Sequence, residues 1–202
     1  MCDNLCNTSD VLILLRHGRT ANNAEARLQG DSDIALDEVG ELQAERAGEF
    51  IRSRWQIDTV VTTSLQRSQQ TAELAGFSSR IHEVDDRWRE ISYGEFEGRR
   101  IGELDPDLGV RWQRDVNYRP AGGESLASLY ARVADACRSM VERAAEENVL
   151  VVSHATPIKS AVIWASGGAP TMILNLWVYP GSVSLIDYPN GRPLLSGFNH
   201  HF

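Results

Sequence analysis

The chain has few of the features that mark secreted, metal-binding or membrane-anchored proteins. Cys2, Cys6 and Cys137 are the only cysteines among its 202 residues, so we expect no disulfide framework. Cys2 and Cys6 lie in a polar stretch that is more typical of a loose tail than of a metal site. Few cysteines indicate a reducing compartment, and residues 1–10 resemble no secretory or anchoring segment, so the expected location is cytoplasmic.

Basic residues are also scarce relative to acidic ones. The 20 Lys and Arg residues face 28 Asp and Glu residues, which gives a formal net charge of −8. An acidic protein is repelled by nucleic acids and anionic membranes, so we expect neither as a partner. No linker composition divides the chain, which predicts a flexible tail over residues 1–10 and a single domain over residues 11–202. The oligomeric state stays open, with a homodimer among the alternatives.

A histidine follows the first apolar run of the sequence. Arg16, His17 and Gly18 come directly behind the apolar residues 11–15, which are typical of a buried strand. Open α/β sheets bind ligands where such strands end. An imidazole can act as a nucleophile, and a neighbouring guanidinium binds phosphate through paired hydrogen bonds. The junction therefore predicts a phosphoryl-transfer site, although a histidine behind a strand is about as often an ordinary turn residue.

Two later strand ends carry further cationic or imidazole side chains. The β-branched residues 58–63 predict a strand before a helical stretch that holds Arg67 in its first turn. Residues 148–153 predict another strand that ends directly before His154, with Thr156 as the N-cap of the next helix. Arg67 and His154 are thus candidates for the same site.

Loops between these elements supply amides and a carboxyl group. Asn23 can donate a hydrogen bond to a phosphate oxygen, and Gln29 and Gly30 follow in the same loop. Glu90 lies in a stretch too rich in glycine for a regular helix. A departing alkoxide needs a proton, and Glu90 is the leading candidate to supply it.

The order of predicted elements indicates an α/β fold. Helices are expected over residues 37–54, 65–75 and 124–145, and a fourth helix is expected after Pro157 up to about residue 165. A short extended piece is expected at Ile81. Residues 175–179 and 182–188 predict two C-terminal strands before a turn at Asn190, so the sheet should be mixed. Residues 87–121 are expected to be irregular.

Taken together, these residues resemble the histidine phosphatase superfamily, in particular its phosphoglycerate-mutase-like branch with the acid phosphatases and α-ribazole phosphatases. The motifs that carry the resemblance are Arg16-His17-Gly18, Arg27-Leu28-Gln29-Gly30, Gly122-Gly123-Glu124-Ser125, Arg67, Glu90 and His154. The resemblance implies a three-layer α/β/α sandwich around a mostly parallel mixed sheet. Arg19 and the pair Ala155-Thr156 depart from the family pattern.

The resemblance also implies a role for each candidate residue. His17 would be phosphorylated during turnover, and Glu90 would donate the proton. The expected phosphate and substrate site comprises Arg16, Asn23, Gln29, Gly30, Arg67 and His154. Guanidinium and imidazolium groups would supply the positive charge, so no metal and no cofactor are expected.

Two activities share this residue set. Water as the acceptor gives a phosphatase, whereas a phosphorylated acceptor gives a 2,3-bisphosphoglycerate-dependent phosphoglycerate mutase. Such mutases have a longer basic insertion after the acid, so the compact segment here favours hydrolysis of a small phosphorylated metabolite. A family member that only binds a phosphorylated ligand is a third alternative. The sequence leaves open whether the metabolite is a sugar, glycerate, nucleoside or α-ribazole phosphate.

The segment over residues 95–121 is the expected specificity region. It contains five side chains able to contact a substrate, namely Arg99, Arg100, Trp112, Arg114 and Arg119. Most of these are expected to face solvent.

Overall fold

The computed structural model describes residues 11–78, 81–104, 107–144 and 147–202. The predicted tail with Cys2 and Cys6 lies outside the described residues. The strands are β1 (Val11–Arg16), β2 (Thr59–Thr62), β3 (Ile81–Val84), β4 (Val149–Ser153), β5 (Val183–Asp187) and β6 (Leu194–His200). The α-helices are α1 (Ala21–Ala24), α2 (Glu38–Arg52), α3 (Gln66–Ala72), α4 (Asp107–Arg114), α5 (Leu126–Ala144) and α6 (Ala155–Ala165).

The six strands form one mixed sheet in the order β3-β2-β4-β1-β5-β6. Strands β3, β2, β4 and β1 are parallel, whereas β5 and β6 run antiparallel to their neighbours. Parallel neighbours need crossover connections, which α2, α3 and α5 provide. The prediction of a mostly parallel mixed sheet is confirmed.

The central strand β1 separates two apolar clusters. Leu12 and Leu14 pack in the cluster that contains buried residues of α5 and α6. Ile13 and Leu15 point to the opposite face and pack in a cluster with Ala47 and other residues of α2. Side chains of a strand alternate between faces, so a continuous apolar run is buried on both sides. Helices therefore cover both faces, and the predicted three-layer sandwich is confirmed.

The segment over residues 87–121 is not wholly irregular, because it contains the helix α4. Trp112 on this helix is 6% exposed and donates a hydrogen bond from Nε1 to the carbonyl of Tyr118 at 3.1 Å. A single buried tryptophan thus anchors a short helix to the core. The irregular assignment was wrong at this point, because tertiary packing rather than local helix propensity stabilises α4.

Two further sequence predictions were also wrong. Helix α6 begins one residue after His154, which takes the N-cap position that was predicted for Thr156. The predicted strand at residues 175–179 is absent from the described sheet, and a 3-10 turn over Pro170–Asn175 precedes extended backbone there. Strand β6, which was not predicted, completes the sheet next to β5.

Candidate active site

Three neighbouring parallel strands bring polar residues to one edge of the sheet. In the register of β1 and β4, Arg16 lies opposite Ser153, so the residues that follow are adjacent. The amide of His17 donates to the carbonyl of Ser153 at 2.9 Å, and the rings of His17 and His154 lie 5.1 Å apart. Parallel strands thus place two histidines from distant parts of the sequence side by side, at the carboxyl ends of the strands where open α/β sheets bind ligands.

The hydrogen bond of the His17 ring determines which nitrogen can react. Nδ1 lies 2.7 Å from the carbonyl oxygen of Gly18. A carbonyl only accepts, so Nδ1 carries the hydrogen and Nε2 keeps its lone pair. Burial and the positive charges of Arg67 and Arg16 lower the pKa of His17 well below its ordinary value. His17 is therefore a neutral imidazole with a free nucleophilic nitrogen.

Gly18 lets the loop behind β1 pass close to helix α2. A Cβ on Gly18 would lie 2.1 Å from the carbonyl oxygen of Gly40, which is far inside van der Waals contact. Glycine at this position therefore allows the close approach to α2, and its carbonyl can accept the hydrogen bond that orients the His17 ring.

Arg67 is fully buried and ties three parts of the site together. Its Nη1 donates to the carbonyl of Ser32 at 2.6 Å and its Nη2 to the carbonyl of Gly30 at 2.9 Å. Its Nε donates to Nδ1 of His154 at 3.2 Å. His154 must therefore donate from Nε2, and Thr63 Oγ1 lies 3.0 Å from that nitrogen. Burial and the charge of Arg67 lower the pKa of His154 well below its ordinary value, so it is neutral too.

Gly30 acts through its backbone. Its carbonyl holds Arg67, and its amide donates to the carboxylate of Glu97 at 2.9 Å. A Cβ on Gly30 would lie 2.2 Å from the carbonyl oxygen of Ile91. Glu97 also accepts hydrogen bonds from the backbone and hydroxyl of Ser32. Glu97 therefore shapes the loop that presents Arg67, a role that sequence reasoning did not assign.

Arg16 and Gln29 each carry a buried donor without a protein partner among the described residues. Arg16 donates from Nη1 to the carbonyl of Val178, but its Nε is unpaired. Burial lowers the pKa of Arg16 to about 10, with the charge of Glu90 opposing that shift. Gln29 accepts from Thr20 at 2.6 Å through Oε1, which leaves its Nε2 unpaired. Unpaired buried donors are costly, and an anionic ligand would satisfy them.

Asn23 belongs to a capping box at the start of α1. Its Oδ1 accepts from the amide of Thr20 at 3.3 Å, and its own amide donates to the Thr20 hydroxyl. The oxygen is thereby engaged, which leaves the side-chain NH2 group of Asn23, a residue of the cavity wall, as the group that can donate to a ligand.

Glu90 is 8% exposed and is held by two backbone amides. Its Oε1 accepts from Ile91 at 2.8 Å and its Oε2 from Thr156, in the first turn of α6, at 3.3 Å. The carboxyl group thus caps the helix that follows His154, which fixes its distance from the two histidines.

A clamp from helix α5 holds the backbone around Glu90. Arg132 donates to the carbonyls of Arg87, Arg89 and Glu90 at 2.7, 2.8 and 3.1 Å. The same guanidinium forms a two-pronged ion pair with Glu124 at 2.8 Å. Three of the five hydrogen bonds of this side chain therefore fix the segment that carries the proposed acid, and the other two hold the guanidinium on Glu124.

A cavity of about 480 Å³ opens above these residues. Among the predicted site residues, its wall includes Arg16, His17, Asn23, Gln29 and Glu90. Arg67 and His154 have no exposed surface and, like Gly30, are not part of that wall. The structure thus divides the predicted set into residues that face the cavity and residues that support them.

Sequence reasoning left Tyr93, Lys159 and Trp177 unassigned, yet all three line the cavity. Lys159 lies one helical turn beyond Thr156, so helix periodicity behind His154 was a usable signal. No sequence signal marks Trp177, which stands in the segment wrongly predicted as a strand.

The residues that depart from the family pattern and those weighed as specificity contacts differ in whether they line the cavity. Arg19 pairs with Asp37 at 2.8 Å, while Ala155 lines the cavity beside Thr156. Four arginines that were weighed as specificity contacts are exposed and do not line the cavity, as expected: Arg99, Arg100, Arg114 and Arg119.

Among the residues that the structure describes, no group of three or more His, Cys, Asp or Glu side chains could hold a metal ion. Within the same part of the chain, no helix has the length and apolar character needed to cross a membrane.

A family model and curated relatives were compared with the chain, and they agree on one family. The model of the histidine phosphatase superfamily (branch 1) matches residues 12–201. A bifunctional protein of Mycobacterium tuberculosis is 33% identical over 185 residues, or 90% of this chain and 51% of its own length. The chain thus spans about half the length of the first curated relatives it matches. A Yersinia enterocolitica protein named "Probable phosphoglycerate mutase GpmB" is 34% identical, covering 93% of this chain and 89% of that protein.

Solved structures share the fold across nearly the whole chain. A phosphoserine phosphatase of Entamoeba histolytica, in complex with 3-phosphoglyceric acid, matches with a TM-score of 0.84 at 25% identity over 94% of this chain and 96% of that one. A mycobacterial glucosyl-3-phosphoglycerate phosphatase matches with a TM-score of 0.83 at 27% identity over 94% and 98%.

Proposed function

We propose that this chain, which belongs to the histidine phosphatase superfamily, hydrolyses small phosphomonoesters through a phosphohistidine formed on His17. The observation that carries the proposal is the state of the His17 ring. Its Nδ1 donates to the Gly18 carbonyl, which leaves the lone pair on Nε2, its pKa is lowered, and His17 is one of the residues that line the cavity. A neutral imidazole that is already oriented needs no proton removal before it attacks phosphorus.

In the first step, Nε2 of His17 attacks phosphorus, a nitrogen–phosphorus bond forms, and the bond to the ester oxygen breaks. Glu90 gives its proton to the leaving alkoxide, which departs as an alcohol. Arg16 holds the non-bridging oxygens with the donor that is unpaired in the protein alone. The buried Arg67, which is hydrogen-bonded to His154 beside His17, adds positive charge to the site.

In the second step, water attacks the phosphohistidine. The ionised Glu90 takes a proton from the water, the nitrogen–phosphorus bond breaks, and inorganic phosphate leaves. Both steps use positive side chains where other phosphatases use metal ions, so we propose a metal-independent reaction.

Mutase activity is the second candidate, and the name of the Yersinia enterocolitica relative favours it. The two reactions share the first step and differ in the acceptor. Some of the side chains that line the cavity are exposed, among them Trp177 with 62% exposure and Ile101 with 53%, which favours access of water. We therefore place hydrolysis first.

The test follows phosphorus by NMR in buffer with a chelator. Wild-type protein, His17→Ala and the exposed-histidine control His201→Ala are each given pooled phosphomonoesters. A second set receives 3-phosphoglycerate primed with its bisphosphate. Inorganic phosphate from wild type and His201→Ala, but not from His17→Ala, is the expected result. Isomer exchange without phosphate release would establish the mutase, and undiminished hydrolysis by His17→Ala would overturn the assignment of the nucleophile.

A further inference from the structure

Four cationic side chains line the cavity, and they differ in how they are engaged. Arg16 lies beside His17 at the proposed phosphate position. Arg19 and Arg27 are each paired with a carboxylate at 2.8 Å. Lys159 makes no hydrogen bond or ion pair with any residue that the structure describes. Its charge is therefore available to a ligand.

Lys159 is also the single lysine of the chain, and the other residues counted as Lys or Arg are all arginines. Its position on α6, one turn after Thr156, places it on the same wall as Glu90. The side chain is half-buried, and burial lowers the pKa of its amine, while the negative charge of Glu90 opposes that shift and Arg16 adds to it. A half-buried ammonium group that forms no ion pair or hydrogen bond within the described residues is unfavourable, and an anionic ligand would relieve that cost.

We propose that Lys159 binds a carboxylate on the substrate, so that the preferred substrates are phosphorylated carboxylic acids. This inference rests on the proposed phosphatase function and names its substrate class. A phosphate dianion needs several donors, as Arg16 and its neighbours provide, whereas the one positive charge of Lys159 balances the one negative charge of a carboxylate. The carbon skeleton between the two acidic groups would lie against the exposed apolar surfaces of Trp177 and Ile101.

The test compares two substrates that share a skeleton and differ in one group. 3-Phosphoglycerate ends in a carboxylate, and glycerol 3-phosphate has a hydroxymethyl group in its place. Hydrolysis of both is measured for wild type, Lys159→Met and Lys159→Arg. Arg46→Met is the matched control, since it removes one exposed cation from the outer face of α2.

Wild type should prefer 3-phosphoglycerate. In Lys159→Met, the kcat/KM ratio of the two substrates should fall at least about tenfold, mainly through KM, as expected for one charge-assisted hydrogen bond. Lys159→Arg should recover part of the preference, and Arg46→Met should keep the wild-type ratio.

Equal losses on both substrates would overturn the inference, because Lys159 would then act through Glu90 or the fold. An unchanged ratio in Lys159→Met would overturn it as well. If wild type hydrolyses neither compound nor any aryl phosphate, the proposed function itself fails. Hydrolysis of glycerol 3-phosphate without a preference for the carboxylate rejects only the role of Lys159.

Discussion

The two buried histidines should make the free energy of unfolding depend on pH. His17 and His154 are 3% and 0% exposed, and burial together with nearby arginine charge lowers both pKa values well below the ordinary 6.5. In the unfolded chain both rings are protonated as pH falls through about 6.5, whereas in the folded protein they stay neutral. The unfolded state therefore binds more protons, so stability rises with pH in this range and falls as the solution is acidified.

The size of the effect follows from linkage. Between about pH 6.5 and pH 5.5, one histidine that stays neutral in the folded state and has an ordinary unfolded pKa costs about 1 kcal/mol of unfolding free energy. The pair should cost about 2 kcal/mol, and the loss continues down to the folded-state pKa values. Carboxylates with ordinary pKa values titrate mainly below this range.

Urea denaturation at constant ionic strength measures the effect, with the buried Trp88 and Trp112 as fluorescence reporters. His154→Gln should reduce the loss between the two pH values to about 1 kcal/mol, whatever its effect on absolute stability. His201→Gln alters an exposed histidine and is the control with the wild-type slope. A wild-type loss near zero, or an unchanged slope in His154→Gln, would refute the assignment of neutral buried rings.

Three substitutions test the support of the site. Arg67→Lys keeps the charge, but a lysine cannot bond two carbonyls and an imidazole at once. The free energy of unfolding, measured by urea denaturation, should therefore fall by about 3 kcal/mol, and kcat/KM should fall at least about 100-fold. A fall in unfolding free energy of less than about 1 kcal/mol would contradict the bonding described. Gly30→Ala should cost about 2 kcal/mol through its clash with Ile91, whereas Gly102→Ala, with open space around it, should be near neutral. Glu90→Gln should slow alkyl phosphates about 100-fold and activated aryl phosphates less than about tenfold; equal losses would indicate a positioning role.

The sequence was most informative where strands end. Apolar runs of five or six residues mark buried parallel strands, and the residues after them are then forced to one edge of the sheet. This logic brings His17, His154 and Arg67 together without any knowledge of side-chain contacts. It cannot reveal that Arg67 and His154 lie beneath the cavity, because depth below a surface depends on the loop around Gly30.

Other features depend on contacts between distant segments. Helix α4 is short and contains Gly109, so its intrinsic helix propensity is low. The burial of Trp112 supplies the stabilisation that local propensity lacks. Strand β6 pairs with β5 through irregular register at the sheet edge, so the alternation that normally predicts a strand is weak. Helix periodicity places Lys159 one turn beyond Thr156, but its lack of a hydrogen bond or ion pair within the described residues is visible only in the structure.

The hydrogen bonds of Arg132 affect the local unfolding of the segment around Glu90. Helix α5 is joined to the backbone at Glu90 by three carbonyl hydrogen bonds, and Trp88 in the same segment is fully buried. Local unfolding of this segment must therefore break contacts with α5, which makes the two a single cooperative unit in amide hydrogen exchange. We therefore expect the segment around the proposed proton donor, although it is irregular chain, to exchange its amide hydrogens as slowly as a core helix does.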